Sequence, residues 1–200
     1  MIRGMFLPEP PRSAGADAAY EEDLTNDGYV FNNTRLWAYR PDVNLAFVQL
    51  RSMLTRGSTL SEREVAVLVT ATASRRADSY CALAWGKKLA GLAGDATAAA
   101  VITGANDPVL SEREAALADW ARAVVADPNA TTAEDVERLR AAGLSDQEIF
   151  EVTTFIAFRL AFSTVDNALG AEPDQRLAEG APRAVRDAVT FGRPAAEIPS

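Results

Sequence analysis

Two hundred residues, 48% apolar and 24% charged, suit one globular core with tails and fall short of two full domains. Twenty Lys and Arg against 28 Asp and Glu leave a net charge of -8, and no basic run interleaved with aromatics offers itself to phosphates, which excludes nucleic acid as the expected partner. The complete absence of histidine excludes histidine-activated nucleophiles, histidine metal ligands and histidine proton shuttles, leaving Asp, Glu, Cys, Tyr and Lys as acids and bases.

Residues 1–40 read as an extended arm, with Pro8, Pro10, Pro11 and Gly15 followed by a polar stretch through Asn33 and no sustained period. After Arg3, the run Met5, Phe6, Leu7 is too short for a signal sequence, and no apolar stretch reaches membrane-spanning length, so neither a membrane nor export is expected. The arm's aromatics, Tyr20, Tyr29, Phe31, Trp37 and Tyr39, are too many for a free tail and should pack on the domain or on a neighbouring subunit.

From Pro41 the pattern turns helical, with Val43, Leu45, Ala46, Val48, Leu50 and Met53 at helix spacing up to Gly57. Ser61 with Glu64 forms a capping box for the next helix, and the same Leu-Ser-Glu-Arg-Glu returns at Leu110 to Glu114. Further starts stand at Thr131 or Thr132 with Glu134 or Asp135, and at Ser145 with Glu148. The stretch from Ile149 to Leu169 is apolar almost all round, which predicts a central helix. No segment alternates with period two, so the fold class is all-α, a single-domain helical bundle over 41–170 with a C-terminal extension, 171–200, holding a short helix.

The lone cysteine, Cys81, cannot form an intramolecular disulfide or a Cys-rich metal site, which suits a reducing compartment and points to the cytoplasm. No metal-ligand cluster, haem, flavin or nucleotide motif is present, so no cofactor is expected. Asp78 reads as an N-cap, which puts Ser79, Tyr80 and Cys81 at the first three helical positions. A helix N-terminus favours a thiolate, whereas the nearby carboxylate of Asp78 opposes it; a small buried hydrophobe is the alternative role for the sulfur. Arg159 interrupts the apolar helix and shares a face with Ser163 and Asp166, either as a structural ion pair or as an anchor for a carboxylate or peroxide.

The segment from Leu60-Ser61-Glu62-Arg63-Glu64 into Asp78-Ser79-Tyr80-Cys81 and on to Trp85-Gly86 resembles the core motif of the alkylhydroperoxidase D-like and carboxymuconolactone decarboxylase superfamily. The flanking Leu36-Trp37-Ala38-Tyr39-Arg40-Pro41, the run from Asp135 to Ser145 and the Phe-rich helix place the likeness in its peroxidase-related branch, over about Leu36 to Gly170. The resemblance implies an all-α bundle of that type, homo-oligomers (dimer, trimer or hexamer), and hydroperoxide reduction by one thiolate that a second cysteine resolves, with a glutamate and a histidine relaying protons. Here Cys81 matches the second cysteine, Asp78 stands in place of the first, and Trp85 occupies the histidine position. Ala66 stands twelve residues before Asp78, so Glu64 matches the glutamate only with two residues inserted in the connecting turn.

Without a partner thiol the intramolecular cycle cannot close, so a sulfenic acid on Cys81 needs an external thiol or another subunit's Cys81. The resemblance therefore implies a peroxidase-like oxidoreductase acting on hydroperoxides with an external thiol as reductant. Its catalytic candidates are Cys81, Glu64 and Asp78; Trp85, Tyr80 and Arg159 are the substrate-binding candidates. Two alternatives stand beside it: a carboxymuconolactone decarboxylase-like enzyme acting on a small carboxylic acid, and a non-catalytic oligomeric binding protein on the same scaffold. Glu64 as a mere capping residue, Trp85 as a wall and Tyr80 as packing are the structural alternatives.

Overall fold

In the computed structural model, which describes residues 4–196, every regular element is a helix. The outermost residues of the arm, with Arg3, and of the C-terminal extension, 1–3 and 197–200, lie outside the described residues. In chain order the helices are α1 (Ala14–Asn26), α2 (Asn32–Trp37), α3 (Pro41–Arg56), α4 (Glu62–Arg75), α5 (Ser79–Ala93), α6 (Asp95–Thr103), α7 (Glu112–Ala126), α8 (Ala133–Ala141), α9 (Asp146–Ala168), α10 (Gln175–Glu179) and α11 (Arg183–Ala188). Among the described residues no helix is long and apolar enough to cross a membrane.

The bundle is built around α4. Every residue from Ala66 to Ala73 is buried, and α5, α6, α7 and α9 all pack on it. Alanine, valine and threonine make this possible, because small side chains let neighbours approach on all sides. The helix expected at the centre, α9, turns out to have a wet side: it buries Ile149, Val152, Phe155, Ile156 and Phe162 but leaves Phe150 69% exposed. Its apolar residues outnumber what one buried face can hold.

The predicted caps form where the sequence places them. The hydroxyl oxygens of Ser61, Ser111, Thr132 and Ser145 accept from the N-H groups of Glu64, Glu114, Asp135 and Glu148, whose carboxylates accept from the cap residues' own N-H groups. The two Leu-Ser-Glu-Arg-Glu copies also exchange arginines. Arg63 Nη2 donates to Glu114 at 3.1 Å, while Arg113 pairs with Glu64 and with Glu148, both at 2.8 Å. Shared capping chemistry thus joins the starts of α4, α7 and α9 at one end of the bundle.

The N-terminal arm is not extended. Ser13 caps α1 by accepting from Ala16 N at 3.1 Å, and α2 follows; α1 buries only Ala16, so it has no apolar stripe from which a period could be read. Trp37, at the end of α2, is buried against the domain, whereas Tyr39 stays exposed. The C-terminal extension holds two short helices, α10 and α11, rather than one.

Helix α3 forms as its spacing predicts, with Pro41 in its first turn, yet none of its residues is fully buried. Leu45, Val48, Leu50 and Met53 face outward and are exposed, while Phe47, Arg51 and Leu54 face the bundle. The helix is apolar on both sides, so periodicity alone could not choose its inner face.

Candidate active site

The site begins at the turn from α4 into α5. Ala77 takes a left-handed conformation (φ 58°), a costly one for a residue with a Cβ, and Asp78 N returns to Ala73 O at 2.9 Å. This geometry turns Asp78 into the cap of α5, its Oδ1 accepting from Cys81 N at 3.0 Å. The C-terminal segment clamps the turn from outside. Ser79 Oγ donates to Arg193 O at 2.7 Å, and Gly192 (φ 73°) passes so close that a Cβ there would stand 2.8 Å from Ala77 O.

Cys81 is 4% exposed and lies with Ala73 and Ala82, against Trp85, Val189 and Phe191. Arg159, buried on α9, donates from Nη2 to Cys81 Sγ at 3.1 Å. Its guanidinium also lies over the rings of Trp85 (5.6 Å) and Phe162 (5.5 Å). On the same face Asp166 Oδ1 accepts from Trp37 Nε1 at 2.8 Å, and the Trp37 ring stacks on Phe162 at 4.8 Å. Arg51 reaches in from α3, its guanidinium 4.9 Å from the Phe162 centroid. One oxygen of each carboxylate, Asp78 Oδ2 and Asp166 Oδ2, is buried without a hydrogen-bond partner.

Burial decides the charge states here. It pushes the Cys81 thiol well above its ordinary value, with Asp78 and Asp166 adding to the rise and Arg159 opposing it. The resting sulfur is therefore a neutral thiol, and desolvation overrides the helix N-terminus that would favour a thiolate. Asp166 is raised to about 7, by burial first and by Asp78 as well, against the Trp37 hydrogen bond and the two arginines. Arg51 is lowered to about 10 by burial and by the neighbouring charge of Arg159. A protonated thiol, a carboxyl that changes charge near neutral pH and two guanidiniums thus share one dry pocket wall.

Of the residues singled out in the sequence, Cys81, Asp78, Trp85 and Arg159 come together. Tyr80, though adjacent in the chain, points the other way: it is buried, and its hydroxyl donates to Asp174, which also accepts from Asn32 N. Burial and the charge of Asp174 keep that phenol well above its usual range. Glu64 stands in its capping box and ion pair at the opposite end of α4, about 14 Å by helix rise from Ala73, where the sulfur packs. Arg51 and Trp37 were not singled out as site residues, and Asp166 only as a partner for Arg159. The local signal for Arg51 is its place four residues after Phe47, on the same face of α3; nothing local marks Trp37.

No family model matches the sequence, and no curated protein matches it. Solved structures do. An uncharacterized peroxidase-related protein from Ralstonia eutropha, described as an alkylhydroperoxidase AhpD core, superposes with a TM-score of 0.76 at 23% identity, over 88% of this chain and 96% of that one. A second uncharacterized peroxidase-related protein, from a Silicibacter species, gives 0.75 at 21% identity, over 87% and 94%. The debrominase Bmp8 gives 0.70 at 15% identity over 90% and 96%, and a cysteine-to-alanine variant of it, in complex with 2,3,4-tribromopyrrole, gives 0.72 over 93% and 99%. The helices that bring Cys81, Arg159 and Asp166 together are thus arranged in the alkylhydroperoxidase D core fold, as in the peroxidase-related proteins.

Proposed function

We propose that the protein is a one-cysteine thiol oxidoreductase of the peroxidase-related type, in which Cys81 reduces a hydroperoxide and an external thiol restores it. The observation that carries this reading is the 3.1 Å contact from Arg159 Nη2 to Cys81 Sγ, with the near-neutral carboxyl of Asp166 on the same helix face. The cation stabilises a sulfur anion as it forms, and a carboxyl titrating near 7 can both take and return a proton. Asp166 is better suited to that task than Glu64, which is held at the far end of α4.

The chemistry balances with these groups. Asp166 takes the thiol proton, the sulfur attacks the distal peroxide oxygen, the O-O bond breaks, and the leaving alkoxide receives the proton. Sulfur is oxidised to a sulfenic acid and the peroxide is reduced to an alcohol and that sulfur-bound hydroxyl. One external thiol condenses with the sulfenic acid, releasing water and leaving a mixed disulfide; a second releases Cys81 and departs as a disulfide.

A dehalogenase reading is favoured by one specific feature, the aromatic cluster of Trp85, Phe162 and Trp37 beside the thiol and guanidinium, and by likeness to a debrominase. Assembly into homo-oligomers fits the exposed apolar stripe Leu45, Val48 and Met53 on α3, a surface suited to a second copy.

The test is a single-turnover reaction of native protein with an organic hydroperoxide, followed by intact mass and trapping of the sulfenic acid, with a brominated pyrrole in a parallel arm. Prompt addition of one oxygen at Cys81, absent in Cys81→Ser, supports the peroxidase reading; debromination alone selects the dehalogenase. A cysteine that reacts only after unfolding overturns both and leaves a non-catalytic scaffold.

A further inference from the structure

Two arginines converge on the sulfur, and their charges are not matched. Arg159 donates a hydrogen bond to Cys81 Sγ, and it forms no ion pair among the described residues. The guanidinium of Arg51, half-buried on α3, has no hydrogen-bond or ion-pair partner among the described residues; it lies over the face of Phe162 and feels the charge of Asp166 only at longer range. The same ring lies under both guanidiniums, 4.9 Å from Arg51 and 5.5 Å from Arg159, so the two cations flank one aromatic plate. A guanidinium stays protonated when half-buried, and a second one nearby adds repulsion.

The acids of the site act on this charge at a distance and form no direct ion pair with it. Asp78 gives Oδ1 to the cap of α5, and Asp166 gives Oδ1 to Trp37. Their second oxygens remain buried without a hydrogen-bond partner. Asp166 holds a proton below about pH 7, and in that form its free oxygen can donate to an incoming acceptor. Two cationic forks and one carboxylic acid, set among Trp37, Phe47, Trp85, Phe158 and Phe162, make a socket for an anionic head on a flat or apolar body.

We propose that Arg51 and Arg159 form a carboxylate-binding pair, and that the substrate of this site is a small organic acid whose body packs against the aromatic cluster and whose head is gripped from both α3 and α9. This rests on Cys81 marking the active site, but it assigns the substrate class and gives α3 a role that redox chemistry alone does not require.

The experiment is calorimetric titration of the reduced full-length protein with benzoate and with benzamide, in the absence of any oxidant. Benzoate is expected to bind and benzamide to bind at least about 10-fold more weakly, since charge-assisted hydrogen bonds distinguish them. Arg51→Gln should weaken benzoate by about 10-fold or more, and Arg51→Lys by less. Absence of benzoate binding, equal binding of both probes, or an unchanged affinity in a folded Arg51→Gln each overturns the proposal. Should Arg51→Gln fail to fold, an unchanged benzoate-to-benzamide ratio in Arg51→Lys overturns it and a narrowed ratio supports it. Arg51-dependent benzoate binding with an inert Cys81 would uphold the anion site while the redox reading fell; peroxide chemistry without benzoate binding would do the reverse.

Discussion

The two ends of α4 solve the same problem, polar groups close to a core, in opposite ways. At its start, the capping boxes of α4, α7 and α9 are stitched together by Arg113, which reaches Glu64, Glu148 and the Gly143 carbonyl, and by Arg63 on Glu114. Every charge there meets its opposite. Around Cys81, at the other end, two carboxylate oxygens lack hydrogen-bond partners and the Arg51 guanidinium lies over a ring without an ion pair among the described residues. Satisfied networks rigidify a fold, whereas unsatisfied ones cost stability and persist where binding or catalysis requires them. The difference teaches that the first cluster holds the bundle together and the second is where chemistry belongs.

Substitutions can break this contrast, and the largest effect is expected at the sulfur. Arg159→Met should slow oxidation of Cys81 by hydroperoxide by about 100-fold, because it removes the cation facing the developing anion, while the thermal midpoint shifts little. Stopped-flow peroxide kinetics beside a melting curve would show it; an unchanged rate removes Arg159 from the mechanism.

Asp166→Asn comes next. The carboxyl titrates near 7 in the folded chain against an ordinary 3.8, so the folded state binds more protons between those values. Stability therefore falls as pH rises from about 4 to about 7 and is level above. Asparagine keeps an acceptor for Trp37 and abolishes the slope, and it should stabilise the fold above pH 7 by on the order of 3 kcal/mol. Parallel denaturation curves at pH 5 and pH 8 measure it, and an unchanged difference between the two pH values sinks the assignment.

At the capped end the sign reverses. Arg113→Met should destabilise by about 1–2 kcal/mol at neutral pH, a figure reduced for its partial exposure, and should leave Cys81 reactivity unchanged. Glu148, held at about 2 by Ser145, Thr59 and Arg113, contributes stability that is present above the ordinary carboxylate pKa and lost as pH falls toward 2. Glu148→Gln should flatten that acid limb. The smallest effect is expected for Arg183→Ala, whose i, i+4 pair with Asp187 is exposed: less than about 0.5 kcal/mol by chemical denaturation.

The sequence by itself determined what is encoded within one helical turn. Ser61 with Glu64, Ser111 with Glu114, Ser145 with Glu148 and Asp78 with Cys81 are each three residues apart, and each forms the cap that spacing predicted. The all-α class and the α4-turn-α5 frame follow from such local rules, and the alkylhydroperoxidase D resemblance rests on them too. Three things were left to the tertiary structure. Which side of α3 faces inward was undecidable from a helix apolar on both sides, and the central position fell to small-residue α4 rather than to Phe-rich α9. The state of the thiol depended on groups far along the chain: Arg159 lies 78 residues from Cys81, and Trp37 lies 129 from Asp166. Hydrogen bonds of caps are settled between near neighbours, but burial and the charge states it imposes are properties of everything packed around a group, and no local pattern carries them.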